Sequence, residues 1–279
     1  MLLHYNTRII TYPNGEIQIR KYSNPMFLKE KNFDEPNKLV KFESAYEDKQ
    51  NTNPFDGKVI RNWEDFDIYE EEQIKNKFRS WNRMKQKIFS YARCCQWEYF
   101  ITLTINPEKI DRMDFSLCSK FVRQWLNNQR KRFAPELQYL IVPEQHKDGA
   151  WHFHGLLANV GNISFVDSEH LTKNNEIIYN LSKYTYGWTT ATKVVDFHKV
   201  SRYICKYITK NVTDLLVGKH RYFVSSNIPE PDTMILFLED SEVNEYLEMY
   251  AASVGKDVVR VSEIGNNESF TKVKYIELA

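Results

Sequence analysis

Trp151-His152-Phe153-His154-Gly155-Leu156-Leu157 is the stretch from which the fold can be reasoned outward. Bulky apolar residues alternate there with imidazoles, and successive side chains of an extended strand point to opposite faces. Trp151 and Phe153 therefore enter one layer, while His152 and His154 face the other. Leu137 to Glu144 is a second extended run, joined closely to the first through Lys147-Asp148-Gly149. A third, Glu98 to Ile105, ends at the turn Asn106-Pro107. Between these runs, Phe115, Cys118, Phe121, Val122, Trp125 and Leu126 recur at helical spacing behind Asp114, which predicts a helix over 115–133 with Asp114 as its N-cap.

Farther out, Pro13-Asn14-Gly15 between two alternating runs predicts a β-hairpin over 8–20. Residues 21–65 are polar and turn-rich (Asn24-Pro25, Glu35-Pro36, Asn53-Pro54) and read as loops or an irregular lead-in. Helices are expected over 70–95, a basic stretch without Gly or Pro, and over 197–213. The tail from Pro229 predicts a short helix, Val243 to Ala252, and two β-rich runs, Val258 to Val261 and Phe270 to Leu278. Short links between neighbouring strands favour an α+β fold, a central antiparallel sheet with flanking helices and extensions at both ends. Three segments follow from this: 1–69 as hairpin and lead-in, 70–228 as the central domain, and 229–279 as an acidic accessory segment.

The chain has 279 residues, 42% apolar and 27% charged, which excludes whole-chain disorder or a collagen-like repeat. Its apolar runs stop short of the ~18–20 residues that span a bilayer, so no membrane partner is expected. Met1-Leu2-Leu3-His4-Tyr5-Asn6 lacks a basic region leading into an apolar stretch, and no secretory signal is expected. Cys94, Cys95, Cys118 and Cys205 form no C-x-x-C pair, consistent with a reducing cytoplasm. The net charge of +1 conceals a division: eleven acids and four bases give −7 over 229–279, leaving +8 for the first 228 residues. Positions 75–94 hold seven bases and positions 115–134 hold five, with no acid in either run. Such runs are usually solvated helix faces, but with 14% aromatic residues the composition also suits single-stranded nucleic acid.

Two constellations carry chemistry. His152 and His154 stand ~6.5–7 Å apart at Cα on one strand face, close enough to converge on one ion. An H-x-H pair by itself is more often two hydrogen-bonded or surface histidines than a pair of ligands. The preceding hairpin bears on this choice. A three-residue Lys147-Asp148-Gly149 loop sets Glu144 opposite His152, whereas a two-residue loop turns Glu144 to the other face. Two imidazoles and a carboxylate with open positions suit a catalytic divalent metal, Mn²⁺ or Mg²⁺, better than a closed zinc site. In the second constellation, Tyr203 and Tyr207 lie four apart in Ser201-Arg202-Tyr203-Ile204-Cys205-Lys206-Tyr207-Ile208-Thr209-Lys210, and so share a helix face. A core or interface helix is the ordinary reading of that pattern taken alone.

In combination, the pieces resemble the HUH endonucleases, specifically the two-tyrosine replication initiators of rolling-circle single-stranded DNA phages and related plasmids. Phe100-Ile101-Thr102-Leu103-Thr104 looks like the family's first motif. His152-Phe153-His154 looks like the paired-histidine motif, with Phe in place of the bulky hydrophobic residue. Tyr203-Ile204-Cys205-Lys206-Tyr207 looks like the nucleophile motif, with Lys206 at the family's lysine. The resemblance spans roughly 100–211 and implies a ferredoxin- or RRM-like core. It also implies His152, His154 and Glu144 as metal ligands, and Tyr203, Tyr207 and Lys206 as the catalytic group. The implied activity is metal-assisted nicking of single-stranded origin DNA at a hairpin or melted site. A 5′-phosphotyrosine link and a free 3′-OH would result, with a host helicase and polymerase as partners in a bacterial cytoplasm. Arg79, Arg83, Lys87, Arg202, Lys210 and Arg221 are candidate phosphate contacts, with Lys219 beside them, and Tyr99, Trp125 and Trp188 are candidate base-stacking residues. Alternatives are a relaxase or transposase of the same superfamily, a non-catalytic nucleic-acid-binding module, or a zinc-stabilised structural protein.

Overall fold

Alternation along three central strands sorts their side chains into two layers. In a computed structural model that describes residues 3–28, 80–208, 216, 220–264 and 272–279, strand β5 (Trp151–Ala158) lies between β3 (Tyr99–Ile105) and β4 (Gln138–Gln145). Both pairings are antiparallel. Ile101, Leu103, Ile105, Ile141, Trp151 and Phe153 face helix α2 (Phe115–Arg132) and form the main core with its Phe115, Cys118, Val122, Trp125 and Leu126. Asp114 caps that helix, its carboxylate accepting from the Ser116 and Leu117 amides at 2.7 and 3.1 Å. Each such fully buried large side chain contributes about 1.5–3 kcal/mol by leaving water. Phe100, Thr102, Thr104, His152 and His154 take the opposite face.

The sheet has seven strands in the order β6-β7-β8-β3-β5-β4-β9, adding β6 (Phe165–Leu171), β7 (Ile177–Leu181), β8 (Gly187–Lys193) and β9 (Phe223–Val224). None of these four is anticipated from the sequence. In β6 most residues are exposed on both faces, and β7 buries only its last residue, Leu181, so the apolar–polar alternation that announces a half-buried strand is missing. A close approach holds β8 in place: a Cβ on Gly187 would run into the Thr104 carbonyl oxygen.

The described residues divide into two compact units. The first draws its described residues from 3–10, 17–28 and 233–279, the second from 11–16 and 80–232. In the first, the N-terminal and C-terminal segments are strands of one sheet, ordered β10-β1-β2-β12-β11. These are β1 (Leu3–Thr11), β2 (Ile17–Leu28), β10 (Asp232–Leu236), β11 (Val258–Ile264) and β12 (Val273–Leu278). Its core joins Ile9, Ile17, Ile19, Ile276 and Leu278 to Val243, Leu247 and Ala251 of a C-terminal helix, Val243–Ser253. Strand β2 runs to Leu28, so 21–28 are not the irregular lead-in expected of them. Their partner comes from the far end of the chain: β12 pairs with β2 from Ile17 to Tyr22, and the Ser23 amide donates to Lys272 O at 2.9 Å.

Two helices also depart from expectation. The basic helix, α1, is described over 80–92, and Arg79 and the rest of the expected stretch lie outside the described residues. Among the described residues of the helix expected over 197–213, α3 (Phe197–Tyr203) is α-helical and Ile204–Tyr207 tighten to a 3₁₀ turn, while 209–213 lie outside the described residues. The Ile208 carbonyl accepts from the Trp81 indole at 2.9 Å. Lys210 and Lys219 lie outside the described residues. No described helix is long and apolar enough to cross a membrane.

Arg93, just past α1 in the second unit, is 3% exposed and meets Glu16 at 2.6 Å, with its guanidinium 4.3 Å above the Tyr12 ring. Removing one member of a buried pair leaves the other charge uncompensated. Glu16→Gln should therefore lower the stability of this unit by about 3 kcal/mol, read as a shift in the urea midpoint at unchanged slope.

Candidate active site

The β4–β5 hairpin sets the site. Its loop is Lys147-Asp148-Gly149, with Gly149 at φ +87° and the His146 amide donating to Ala150 O at 2.9 Å. Only glycine adopts that φ without strain. This is the three-residue alternative, and the ladder accordingly sets Glu144 opposite His152 and Val142 opposite His154. Glu144 reaches diagonally, its Oε2 2.7 Å from His154 Nε2.

Strand β3 supplies what the histidines rest on. Thr102 and Thr104 pair with His154 and His152, and their hydroxyls lie 3.1 and 3.2 Å from the respective Nδ1 atoms. A threonine hydroxyl both donates and accepts, so it holds either tautomer of the ring without rotation of the imidazole. With Nδ1 occupied, the remaining nitrogen is Nε2, which in His154 bonds to Glu144; a hydroxyl on Nδ1 is the outer-shell pattern found around metal-binding histidines. Neither threonine is singled out in the sequence. The signal available was their parity with Phe100 along a strand whose intervening residues are Ile101 and Leu103.

His146 also belongs here. Its ring stacks on His152 with centroids 3.7 Å apart and planes 4° from parallel, and its Nε2 is 3.5 Å from Glu144. Burial and the neighbouring imidazoles of His146 and His154 push the His152 pKa down to about 4. Burial lowers that of His154 too, against the opposing pull of Glu144. Both rings are therefore neutral at pH 7, with the His154 Nε2–H donating to Glu144 and the His152 Nε2 left for an acceptor or ligand role. Among the described residues, no group of three or more His, Cys, Asp or Glu side chains is spaced to hold an ion.

The tyrosines arrive from α3 and the 3₁₀ turn. The Tyr207 ring stacks on His154 with centroids 3.5 Å apart, and its hydroxyl donates to the Tyr203 hydroxyl at 2.8 Å. Phe100 lies beneath, 5.2 Å from the Tyr203 ring and 6.1 Å from those of Tyr207 and His154. Burial is the main force raising the Tyr207 pKa, with the Tyr203 hydrogen bond and the Glu144 charge adding to it. Lys206 Nζ sits 4.8 Å above the Tyr203 ring, a cation–π contact. Tyr203 itself is 40% exposed.

His152, His154, Glu144, Tyr203, Tyr207 and Lys206 thus gather on one face of one sheet. Tyr203, Lys206 and Tyr207 also line a cleft of 850 Å³ with Arg202, Lys193 and Lys199. Arg83, Lys87 and Arg221 do not line this cleft: Lys87 lies 5.8 Å from the Tyr91 ring, and Arg221 donates to Ser80 at 2.8 Å. Among the candidate stacking residues, Trp125 is 3% exposed in the core and Tyr99 stacks on Phe165 at 3.9 Å, so neither offers a free ring. Trp188 pairs with Thr104, shares the histidine face and is well exposed.

Residues 98–212 match the family model for the replication-associated protein of the ORF2 type. This segment is similar to replication-associated proteins, and it opens beside β3 and closes beyond the tyrosines. Comparisons with curated proteins and with solved structures give no match.

The depressed His152 pKa has a consequence for metal-free stability. Between pH 6.5 and about 4, unfolded His152 binds a proton that the folded imidazole refuses. This contribution to stability is complete above pH 6.5 and is lost as pH falls toward 4. Urea melts in EDTA at pH 7.0, 5.5 and 4.5 should show that decline, and His152→Asn should flatten it.

Proposed function

We propose that this chain is a replication initiator that nicks single-stranded origin DNA by tyrosine attack. The observation that carries the reading is the Tyr207 ring stacked on His154 with its hydroxyl bonded to Tyr203, which sets two phenols against the paired histidines. The similarity of residues 98–212 to replication-associated proteins supports it.

In this reading His152, His154 and Glu144 hold a divalent cation, Mn²⁺ or Mg²⁺. The donor chemistry fits, since neutral imidazoles backed by hydroxyls and a nearby carboxylate are a cation's ligand types, once Glu144 gives up its bond to His154. Such an ion would neutralise charge on the non-bridging oxygens of the scissile phosphate. Tyr203 is the first nucleophile. It is the more exposed phenol, and the hydrogen bond donated by the Tyr207 hydroxyl holds its oxygen in place. Lys206, poised over the Tyr203 ring, adds positive charge where negative charge develops. The Tyr203 oxygen bonds to phosphorus and loses its proton to solvent. The P–O3′ bond breaks, and the departing oxygen takes up a proton as a free 3′-OH. The covalent 5′-phosphotyrosine retains the energy of the phosphodiester, so a 3′-OH can reverse the step without ATP. Tyr207 serves as the second nucleophile when the origin is regenerated. Arg202 stands beside the phosphate path, and Trp188 offers a ring to an unpaired base.

Incubation with single-stranded oligonucleotides from the source replicon and Mn²⁺ should give a covalent adduct on a denaturing gel. Tyr203→Phe with Tyr207→Phe, and His152→Ala, should each reduce the adduct at least ~10³-fold, as loss of a nucleophile or ligand group does. An adduct that survives the double tyrosine change rejects the nucleophile assignment. Thr102→Val should weaken Mn²⁺ binding about 10-fold by releasing Nδ1 of His154. Titration followed by the electron paramagnetic resonance of free Mn²⁺ reads this effect directly.

A further inference from the structure

A second cavity, of 650 Å³, opens beside the short edge strand β9, apart from the histidine face. Three cations reach it from three different elements: Lys87 from α1, Arg123 from α2, and Arg221 from the segment before β9. His220 stands next to them on the lining. The remaining polar lining is aromatic, with Tyr91, Tyr139 and Tyr222. Among the described residues no acid lines this cavity, whereas Glu176 and Asp196 line the cleft beside the nucleophiles.

The parts are held in place. Arg123 lies 5.6 Å above the Phe223 ring and donates from Nε to Ser119 O at 3.3 Å. Arg221 is fixed by its bond to Ser80, and the Tyr91 and Tyr222 rings lie 6.1 Å apart at 50°. Tyr139 points to the α2 side of the sheet, opposite in parity to Val142 and Glu144. Clustered cations with no acid among them favour an anion, and half-buried tyrosine rings favour a flat partner. A phosphate joined to a base has both properties. A duplex hides the faces of its bases, so an unpaired strand is the better match.

We propose that this cavity is a second DNA site, which takes one nucleotide of single-stranded DNA with its phosphate among Lys87, Arg123 and Arg221 and its base against the tyrosines. This rests on the reading of the chain as an initiator, and it gives that enzyme a hold on the strand that needs neither the metal nor the nucleophiles. It also assigns Arg123, which nothing in the sequence marks apart from the other bases of α2.

The test uses the full chain in EDTA and fluorescein-labelled dT15, followed by fluorescence anisotropy over a range of salt. Lys87→Gln with Arg123→Gln should weaken binding about 10-fold or more and reduce the salt slope by about 1–2. Lys131→Gln with Arg132→Gln, a charge-matched change in the last turn of α2 and outside the cavity lining, should bind as the parent does. A strand carrying 5-iododeoxyuridine should cross-link to Tyr91, Tyr139 or Tyr222 on irradiation, a readout independent of the charge variants. Unchanged dT15 affinity in the Lys87/Arg123 variant, with its thermal melt intact, overturns the proposal. So does tighter binding of oligo(rU), or dTMP binding as tight as dT15. The two readings fail separately. Loss of dT15 affinity in a protein that never forms an adduct keeps the cavity and sinks the nickase. A tyrosine-dependent adduct with dT15 binding unmoved does the reverse.

Discussion

The hydrogen-bonded register between β4 and β5 is the constraint on which the site depends. Side chains alternate with a period of two, so a slip of one residue would carry Glu144 away from both imidazoles. Gly149 at positive φ and the His146–Ala150 bond hold the loop at three residues, and from that the pairing of Glu144 with His152 follows. The same parity commits Trp151 and Phe153 to the α2 layer, so the packing that stabilises the sheet also fixes where its histidines face.

Strand β3 couples core and site in the same way. Ile101, Leu103 and Ile105 are buried beneath α2, and the residues between them present Phe100, Thr102 and Thr104 to the other side. The threonines orient the imidazoles, and Phe100 lies under both tyrosines and His154. Moving β3 would therefore disturb the histidines and the phenols together. The tyrosines themselves sit where α3 tightens into a 3₁₀ turn. Their meeting comes from that turn together with the stack on His154, rather than from regular helix spacing.

Charge is partitioned along with geometry. The histidine face carries neutral rings and one carboxylate, suited to a cation, while the cavity at β9 carries cations and phenols, suited to an anion with a flat ring. The two surfaces, unlike in charge and in ring chemistry, belong to one unit.

Sequence alone determined the strands whose alternation is steep, the capped helix behind Asp114, and the grouping of His152 with His154 on one face. These follow from local periodicity, and a strand that buries one side announces its parity in its own residues. It also set out both loop lengths for the hairpin, with Glu144 on the histidine face in only one of them. Tertiary structure alone decided between these, through the φ of Gly149 and the ladder. It likewise decided the 3₁₀ turn that carries Tyr207, beside which the Ile208 carbonyl accepts from Trp81, 127 positions away in the chain. Strands β6 and β7 were silent in the sequence because neither face is well buried, and β2 beyond Arg20 because its partner β12 lies some 250 residues on. Contacts that span such separations leave no local pattern, and the β9 cavity, assembled from three distant segments, is of that kind.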